Sequence, residues 1–337
     1  MSFEFIIPKD YSTPLGIRDT EKAIKTVKDT FENNLKNALN LERVSAPLFV
    51  SRDSGLNDNL NGTERPVSFD MLDIKGEEFE IVHSLAKWKR MALYRYGFEA
   101  GSGLYTDMNA IRRDEELDNL HSAYVDQWDW ERVITREERT EEFLHDIVRK
   151  IVSAVKATEL TAVKEFPVLK PFIEEEVFFI TSEELLKRYP TLTSKEREHA
   201  IAREKKTVFI EKIGGKLSNG ERHDGRAPDY DDWELNGDII LYNPILDRSF
   251  EISSMGIRVD KESLSHQLEV SGCNDRRGLP FHKMLLEDKL PLTIGGGIGQ
   301  SRLCMLILQK SHVGEVQASV WKPEMIKECA KNNIILL

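Results

Sequence analysis

Residues 294–302 read IGGGIGQSR, a glycine-rich stretch that follows an apolar run and precedes a helical pattern beginning near Arg302. A P-loop requires a Lys-Ser/Thr pair after its glycines, and none follows here. The dinucleotide-binding fingerprint requires a glycine at its sixth position, where Gln300 stands if the count starts at Gly295. The stretch therefore has a pattern of its own, Gly-x-Gly-x-Gly-x-x-Arg.

The spaced glycines Gly295, Gly297 and Gly299 leave the backbone open to a flat ligand, because no Cβ intervenes. Arg302 would lie on the first helical turn, where its guanidinium and the helix N-terminus both favour phosphate. The pattern is compatible with a nucleotide site, and also with a tight strand-to-helix turn that carries a surface arginine. Spacing alone does not separate these two interpretations.

Outward from this stretch, strand and helix patterns follow one another along the whole chain. The long strand patterns at 103–111 and 123–133 are joined by a polar loop, which predicts an antiparallel hairpin and not a βαβ step. Residues 52–65 are turn-rich and predict an exposed loop. We expect the α+β class, a mainly antiparallel sheet flanked by helices. The other strand patterns lie at 44–46, 79–83, 207–213, 238–242, 250–254 and 292–295, and the helical patterns near 19–39, 84–96, 138–165, 183–188, 194–205, 260–270 and 298–310.

Composition narrows the class of protein. The chain has 337 residues, of which 40% are hydrophobic and 31% charged, which suits one elaborated domain. The net charge of −11 argues against a broad nucleic-acid surface but allows a local basic pocket. No stretch approaches the roughly 18 apolar residues of a membrane span, and the N-terminus lacks the basic lead of a signal peptide. Three cysteines without CxxC spacing fit a reduced, cytoplasmic setting.

The segment YVDQWDWERV, residues 124–133, alternates as a strand. Gln127, Asp129 and Glu131 share one face, and the two tryptophans share the other. An amide beside a carboxylate suits a ligand ammonium, while the tryptophans would pack the opposite face and hold the strand. The alternative is the solvent-facing polar side of an edge hairpin.

Basic residues stand at two further places. HSLAKWKR, residues 83–90, opens a predicted helix with Ser84 as its cap. Lys87 and Lys89 lie on different faces, so at most one should point into a pocket, and a solvated basic face is the alternative. Arg112 stands at a strand end, where it can reach a carboxylate or phosphate or form an ordinary surface turn.

Acidic side chains interrupt two apolar strand patterns near the C-terminal third. Asp238 begins one, and Glu251 and Ser254 lie within the next. Such groups are costly in apolar strands unless paired or metal-bound. Together they would supply oxygen ligands for Mg²⁺ on an ATP phosphate chain. The charged loop at 222–233, which contains Arg226, reads as a solvated segment.

Taken together, these segments resemble the catalytic core of the class II aminoacyl-tRNA synthetases, closest to the aspartyl and asparaginyl members. Residues 40–47, NLERVSAP, are similar to that family's first motif, which forms the dimer interface. Arg112 with Asp114 resembles the second motif, and residues 295–302 resemble the third. The remaining matches are Ser84 and Lys89 of the substrate loop, Gln127 and Asp129 of the amine-binding pair, and Glu251, Ser254 and Arg258 of the metal and carboxylate sites.

The resemblance is closer still to the bacterial ammonia-dependent asparagine synthetases, over about residues 20–320. The blocks that carry it are HSLAKWKR, YVDQWDWERV, GGKLS, RAPDYDDW, LNGDI, SSMGIRVD and TIGGGIGQSR. This resemblance implies an enzyme that uses ATP to activate the β-carboxylate of aspartate as an adenylate, which ammonia then displaces. It also implies one catalytic domain over residues 1–337 without a tRNA-binding domain, and a cytoplasmic homodimer with neither nucleic acid nor membrane as partner.

The resemblance also implies a role for each site residue. Lys89 and Arg258 would hold the α-carboxylate of aspartate, so that its β-carboxylate faces ATP. Arg112 and Arg302 would stabilise the reacting phosphate. The other implied roles are ATP binding by Asp114, Gly295, Gly297 and Gly299, aspartate binding by Ser84, Gln127 and Asp129, Mg²⁺ binding by Asp238, Glu251 and Ser254, and removal of a proton from ammonium by Asp231 or Asp58.

Two other functions are weighed against this one. An aspartyl- or asparaginyl-tRNA synthetase needs an anticodon-binding barrel, and the roughly 40 residues before the core are too few for a usual OB-fold. A catalytically idle relative that binds aspartate or AMP would not need both arginines and the acidic set. A glutamine-dependent synthetase would need an N-terminal cysteine nucleophile, and Ser2 stands there instead.

Overall fold

The computed structural model describes residues 5–58, 60 and 64–337. The strands β1 to β11 are, in chain order, Leu41–Arg43, Phe49–Ser51, Ser68–Met71, Ile74–Ile81, Gly103–Ile111, Tyr124–Val133, Phe178–Thr181, Thr207–Glu211, Asp231–Asn243, Arg248–Arg258 and Thr293–Gly299. The helices α1 to α9 are Ile17–Leu39, Ala86–Tyr96, Glu141–Glu165, Ser182–Arg188, Ser194–Lys205, Lys261–Val270, Pro280–Leu286, Gln300–Ile307 and Pro323–Lys331.

Eight strands form one sheet in the order β1-β5-β6-β11-β10-β9-β8-β7, and β2, β4 and β3 form a second, smaller sheet. Only the outermost pairs of the large sheet, β1 with β5 and β7 with β8, are parallel. The predicted hairpin is confirmed, with β5 and β6 paired from Gly103 opposite Arg132 to Ile111 opposite Tyr124. The α+β class with a mainly antiparallel sheet is thus confirmed.

One face of the large sheet is covered by α1, α3 and α8. Helix α1 buries a residue at each fourth position from Ala23 to Leu39, which gives it one continuous apolar stripe. The ring of Phe31 in this stripe lies 4.8 Å from that of Trp128 in β6. Since successive strand residues point to opposite faces, Asp129 and Glu131 lie on the other side of the sheet.

Several predicted boundaries were wrong. Helix α1 begins at Ile17 after Gly16, two residues before the predicted start near residue 19. Helix α2 begins after Leu85, so Ser84 is not its cap. The strand expected at 44–46 lies earlier in the chain, as β1 at Leu41–Arg43. Of the expected loop at 52–65, residues 59 and 61–63 lie outside the described residues, and the loop begins with a 3-10 turn at Arg52–Ser54.

No helix among the residues described here is long and apolar enough to cross a membrane.

Candidate active site

A cavity of about 420 Å³ opens on the face of the sheet opposite α1 and α3. Its floor is the central strand β11, and β6 and β10 flank that strand on either side. Helix α2 and the segment before β9 contribute further walls. The structure gathers here every residue predicted from the sequence except Gly295: Asp58, Ser84, Lys89, Arg112, Asp114, Gln127, Asp129, Asp231, Asp238, Glu251, Ser254, Arg258, Gly297, Gly299 and Arg302.

The glycine-rich stretch does not form the tight strand-to-helix turn that was the alternative to a nucleotide site. Its glycines lie within β11, where Gly297 pairs with Asp129 of β6 on one side and Ser254 of β10 on the other. A Cβ at Gly297 would collide with the amide of Gln127 and lie 3.4 Å from Asp129 Oδ1. The glycine therefore keeps the floor of the cavity open between these side chains.

Gly295 does not line the cavity. A Cβ there would collide with the carboxylate of Glu131 and lie 2.7 Å from Arg258 Nη2. Gly295 instead makes room for the ion pair between these two residues, which lies on the cavity face of the sheet.

Lys89 and Asp129 form a buried pair on the cavity wall. The Lys89 ammonium donates to the Asp129 carboxylate, to Trp130 O at 3.0 Å and to Gly296 O at 3.1 Å. These bonds use its three N–H groups, and burial lowers the pKa of Lys89. Leu85 N–H donates to the second oxygen of Asp129 at 3.2 Å. Lys89 thus fixes Asp129 and has no donor left for the ligand carboxylate assigned to it from the sequence.

Arg258 is held by two carboxylates. It donates to Glu131 through Nε and Nη2, at 2.8 Å for the latter, and to Asp231 through Nη1. Glu131 is fully buried and also accepts from Thr293 Oγ1 at 2.7 Å. One N–H on each terminal nitrogen of Arg258 remains for a ligand carboxylate. Asp231 is consequently an ion-pair partner of Arg258.

Asp58 and Ser84 meet on the cavity wall, although 26 positions separate them in the chain. Ser84 Oγ donates to Asp58 Oδ2 at 2.9 Å, and Leu60 N–H donates to Oδ1 at 2.9 Å. Only 3% of the Asp58 surface is exposed. This carboxylate is therefore oriented by hydrogen bonds and has no arginine or lysine partner within the described chain.

Arg112 and Arg302 bring positive charge to the cavity. Arg112 Nε is buried and has no hydrogen-bond partner among the residues described. Arg302 donates from Nη1 to Glu251 O at 3.2 Å. Neither forms an ion pair with any described carboxylate, so both can bind phosphate oxygens. Asp114, by contrast, accepts from Arg65, whose hydrogen bonds hold the pKa of Asp114 well below its usual range.

An acidic group faces these arginines. Asp238 of β9 lies opposite Ser254 of β10, with Glu251 further along β10. Burial raises the pKa of Asp238 to about 7, Glu251 adds to the effect, and Arg226 opposes it. Carboxylate and hydroxyl oxygens are the ligands that a hard divalent cation prefers, so the donor set of Asp238, Glu251 and Ser254 fits Mg²⁺.

Arg226 is the site residue that sequence reasoning missed. Its guanidinium donates to Asp238 Oδ1 at 2.7 Å and also to the hydroxyl of Ser254. The sequence showed only an arginine in a charged loop, which resembles any solvated loop. A signal was present nonetheless, since this loop precedes the predicted strand that begins at Asp238, whose carboxylate needed a partner.

The sheet topology and the glycine floor together define the fold of a class II aminoacyl-tRNA synthetase catalytic core. The fold is similar to asparaginyl-tRNA synthetase from Pyrococcus horikoshii complexed with asparaginyl-adenylate, with a TM-score of 0.66 and 15% identity over 91% of this chain and 71% of that chain. It is similar also to the Entamoeba histolytica asparaginyl-tRNA synthetase, with a TM-score of 0.61 and 14% identity over 93% of this chain and 71% of that chain.

Sequence comparison identifies the family within that class. The model of the aspartate-ammonia ligase family matches residues 18–333, and the chain belongs to this family. It is 64% identical over 336 residues to the aspartate–ammonia ligase of Clostridium tetani (strain Massachusetts / E88), covering 100% of this chain and 98% of the relative. It is 62% identical to that of Clostridium perfringens (strain SM101 / Type A), covering 99% of both. The alternative of a tRNA synthetase is therefore wrong at the family level.

Proposed function

We propose that the chain makes L-asparagine from L-aspartate and ammonia at the expense of ATP, through a β-aspartyl-adenylate, and releases AMP and pyrophosphate. The observation that carries this proposal is the match to aspartate–ammonia ligases over at least 98% of both chains. The cavity supports it, because ammonium-binding, carboxylate-binding and phosphate-binding groups line the same space.

The site binds aspartate through its α-ammonium group and its α-carboxylate. Asp129, fixed by Lys89, accepts the substrate ammonium with Gln127 beside it. The free N–H groups of Arg258 bind the α-carboxylate. The β-carboxylate then points toward Arg112, which reverses the orientation that a tRNA synthetase requires.

A β-carboxylate oxygen attacks the α-phosphorus of ATP, and pyrophosphate leaves. No protein nucleophile is needed, because the chain acts by positioning and by stabilising charge. Arg112 neutralises the reacting phosphate, and Arg302 holds the nucleotide above Gly297 and Gly299. Asp238, Glu251 and Ser254 would hold Mg²⁺, which supplies charge neutralisation on the phosphate chain when bound.

Ammonia must attack the acyl carbon as NH₃, since NH₄⁺ has no lone pair, and AMP then leaves. A carboxylate that accepts a proton from NH₄⁺ serves this step. Asp58 suits it better than Asp231, because Arg258 already binds Asp231. We further propose that residues 1–337 form one catalytic domain of a cytoplasmic homodimer that uses neither nucleic acid nor membrane.

The overall reaction is tested by incubating the purified chain with ATP, Mg²⁺, aspartate and ammonium. We expect asparagine and AMP in equal amounts. Formation of ADP in place of AMP would overturn the adenylate mechanism.

The arginine roles are tested by Arg112→Ala and Arg302→Ala. Each removes an uncompensated charge from the phosphate site, so we expect aspartate-dependent ATP–pyrophosphate exchange to fall by about 10²- to 10³-fold. Arg113→Ala is the matched control, because Arg113 is exposed and does not line the cavity. Near-normal exchange in either test variant would remove its assigned role.

A further inference from the structure

A second group of ligating side chains lies outside the cavity. Glu141 and His145 stand one turn apart at the start of α3, and Glu211 ends β8. Residues four apart project from one face of a helix. One carboxylate oxygen of each glutamate and one ring nitrogen of His145 lie within 4.8 Å of one another. The three residues thus converge from two elements on one point.

The imidazole of His145 is held in place. The ring of Phe179, from β7, stacks on it with centroids 3.9 Å apart and an interplanar angle of 26°. His145 Nε2 lies 2.6 Å from Glu211 Oε1. A ring that is stacked on one face and bonded at one nitrogen is already oriented for a ligand at that nitrogen.

The two glutamates give this group negative charge, and the buried one, Glu211, has no lysine or arginine partner among the described residues. The Glu211 side chain is 4% exposed. Lys212 approaches Glu141 instead, at 3.4 Å. A buried carboxylate without a counter-charge is stabilised by a bound cation.

We propose that Glu141, His145 and Glu211 bind a divalent transition-metal ion of the zinc type, through one nitrogen and two oxygens, with a fourth position for water. Zinc bonds to such ligands are about 2.0–2.2 Å long, so His145 and Glu211 need to separate by less than about 1 Å. The ion would tie α3 to β8, where Glu211 pairs with Gly237 beside the cavity residue Asp238. Its role is therefore structural support of the strand that carries Asp238.

The test is calorimetric titration of the full chain with Zn²⁺, after treatment with a chelator and in excess Mg²⁺ to occupy the active site. We expect one zinc ion per chain. Glu141→Gln removes an exposed ligand without disturbing the core, and His145→Gln removes the nitrogen. Each should weaken binding at least as much as the roughly 10- to 100-fold typical of losing an outer-shell partner. His266→Gln, at an exposed histidine on α6, is the control and should bind as the parent does.

Thermal unfolding gives a second readout. Zinc should raise the Tm of the parent chain and of His266→Gln, and should raise it less in Glu141→Gln and His145→Gln. The proposal is overturned if the parent chain binds no zinc, or if Glu141→Gln binds it unchanged. Either result leaves the asparagine-forming reaction unaffected.

Discussion

Gly297 is needed for the space of the site and not for the stability of the fold, and the substitution Gly297→Ala tests this difference. In Gly297→Ala the new Cβ meets the flexible end of Gln127, which can move aside. We expect unfolding free energy to change by less than about 1 kcal/mol. The displaced amide and the added methyl occupy the ligand space, so asparagine formation should fall by about 10²-fold.

Gly296→Ala is the matched comparison, one residue earlier in β11. Its Cβ would lie 2.6 Å from Met255 Cβ and 2.8 Å from Ser254 O, where backbone must move. This variant should lose about 1–3 kcal/mol of stability. Urea unfolding and activity assays of both variants distinguish the two effects. Full activity in Gly297→Ala, or equal destabilisation of the two, would contradict the assigned roles.

At the same scale, sequence reasoning named fifteen of the residues that line the cavity, but it did not identify their partners. Lys89 was assigned to a ligand carboxylate, yet its three donors are used by Asp129 and two backbone carbonyls. Arg226 was passed over although it binds Asp238. Such pairings depend on contacts between residues far apart in the chain, which local spacing does not report. The catalytic and binding roles themselves stay predictions.

At the scale of elements, length and periodicity decided what could be predicted. Helices α1 and α3 were placed within a few residues, because each has many apolar positions at helical spacing. The short strands β2, β3 and β7 were missed, as were α7 and α9, since a few residues carry little periodic signal. Strand β11 was cut short because glycine disfavours strands, whereas ladders to β6 and β10 hold it on both sides.

The 3-10 turn at Val313–Glu315 begins at His312, which is fully buried. Burial lowers the pKa of His312 to about 4, below the ordinary value near 6.5. Gly314 N–H donates to its unprotonated Nδ1 at 2.9 Å. Between these two pKa values the unfolded chain binds the proton more tightly, so stability is present above about pH 6.5 and is lost as pH falls toward 4.

This linkage predicts that the parent chain loses about 2 kcal/mol of unfolding free energy between pH 7 and pH 5 through His312 alone. His312→Gln cannot take up the proton. It should therefore be less stable at pH 7, through lost packing, and should show a shallower dependence on pH. Urea unfolding at both pH values measures the difference. Parallel pH dependences in the two proteins would exclude His312 as the titrating group.

At the scale of the whole molecule, the large sheet divides two tasks. One face carries the apolar helices α1, α3 and α8, which fix the strands from behind. The other face carries buried charges that need such fixed strands, since Glu131 and Arg258 are stable together only at close contact. The helices packed on one face thus hold the strands in place, and this fixed position lets buried charged residues pair on the other face.

Assembly is the last property that the molecule suggests. Strand β1 lies at an edge of the large sheet, within the segment similar to the first class II motif. Leu48 and Phe49, which follow this segment in the chain, are 51% and 37% exposed. An open edge beside exposed apolar side chains is typical of a surface that another chain covers. Sedimentation should therefore give a mass about twice that of the 38.8 kDa chain.

Leu48→Asp places a charge in that surface and should shift the equilibrium toward the monomer, because an unpaired charge is costly at a buried contact. Leu72→Asp is the control, since Leu72 is 88% exposed beside the small sheet and should leave the mass unchanged. A monomeric parent chain at micromolar concentration, or equal dissociation by both variants, would show that this edge is not where two chains meet. The exposed leucine would then need another explanation, and the edge strand would be protected by its short length alone.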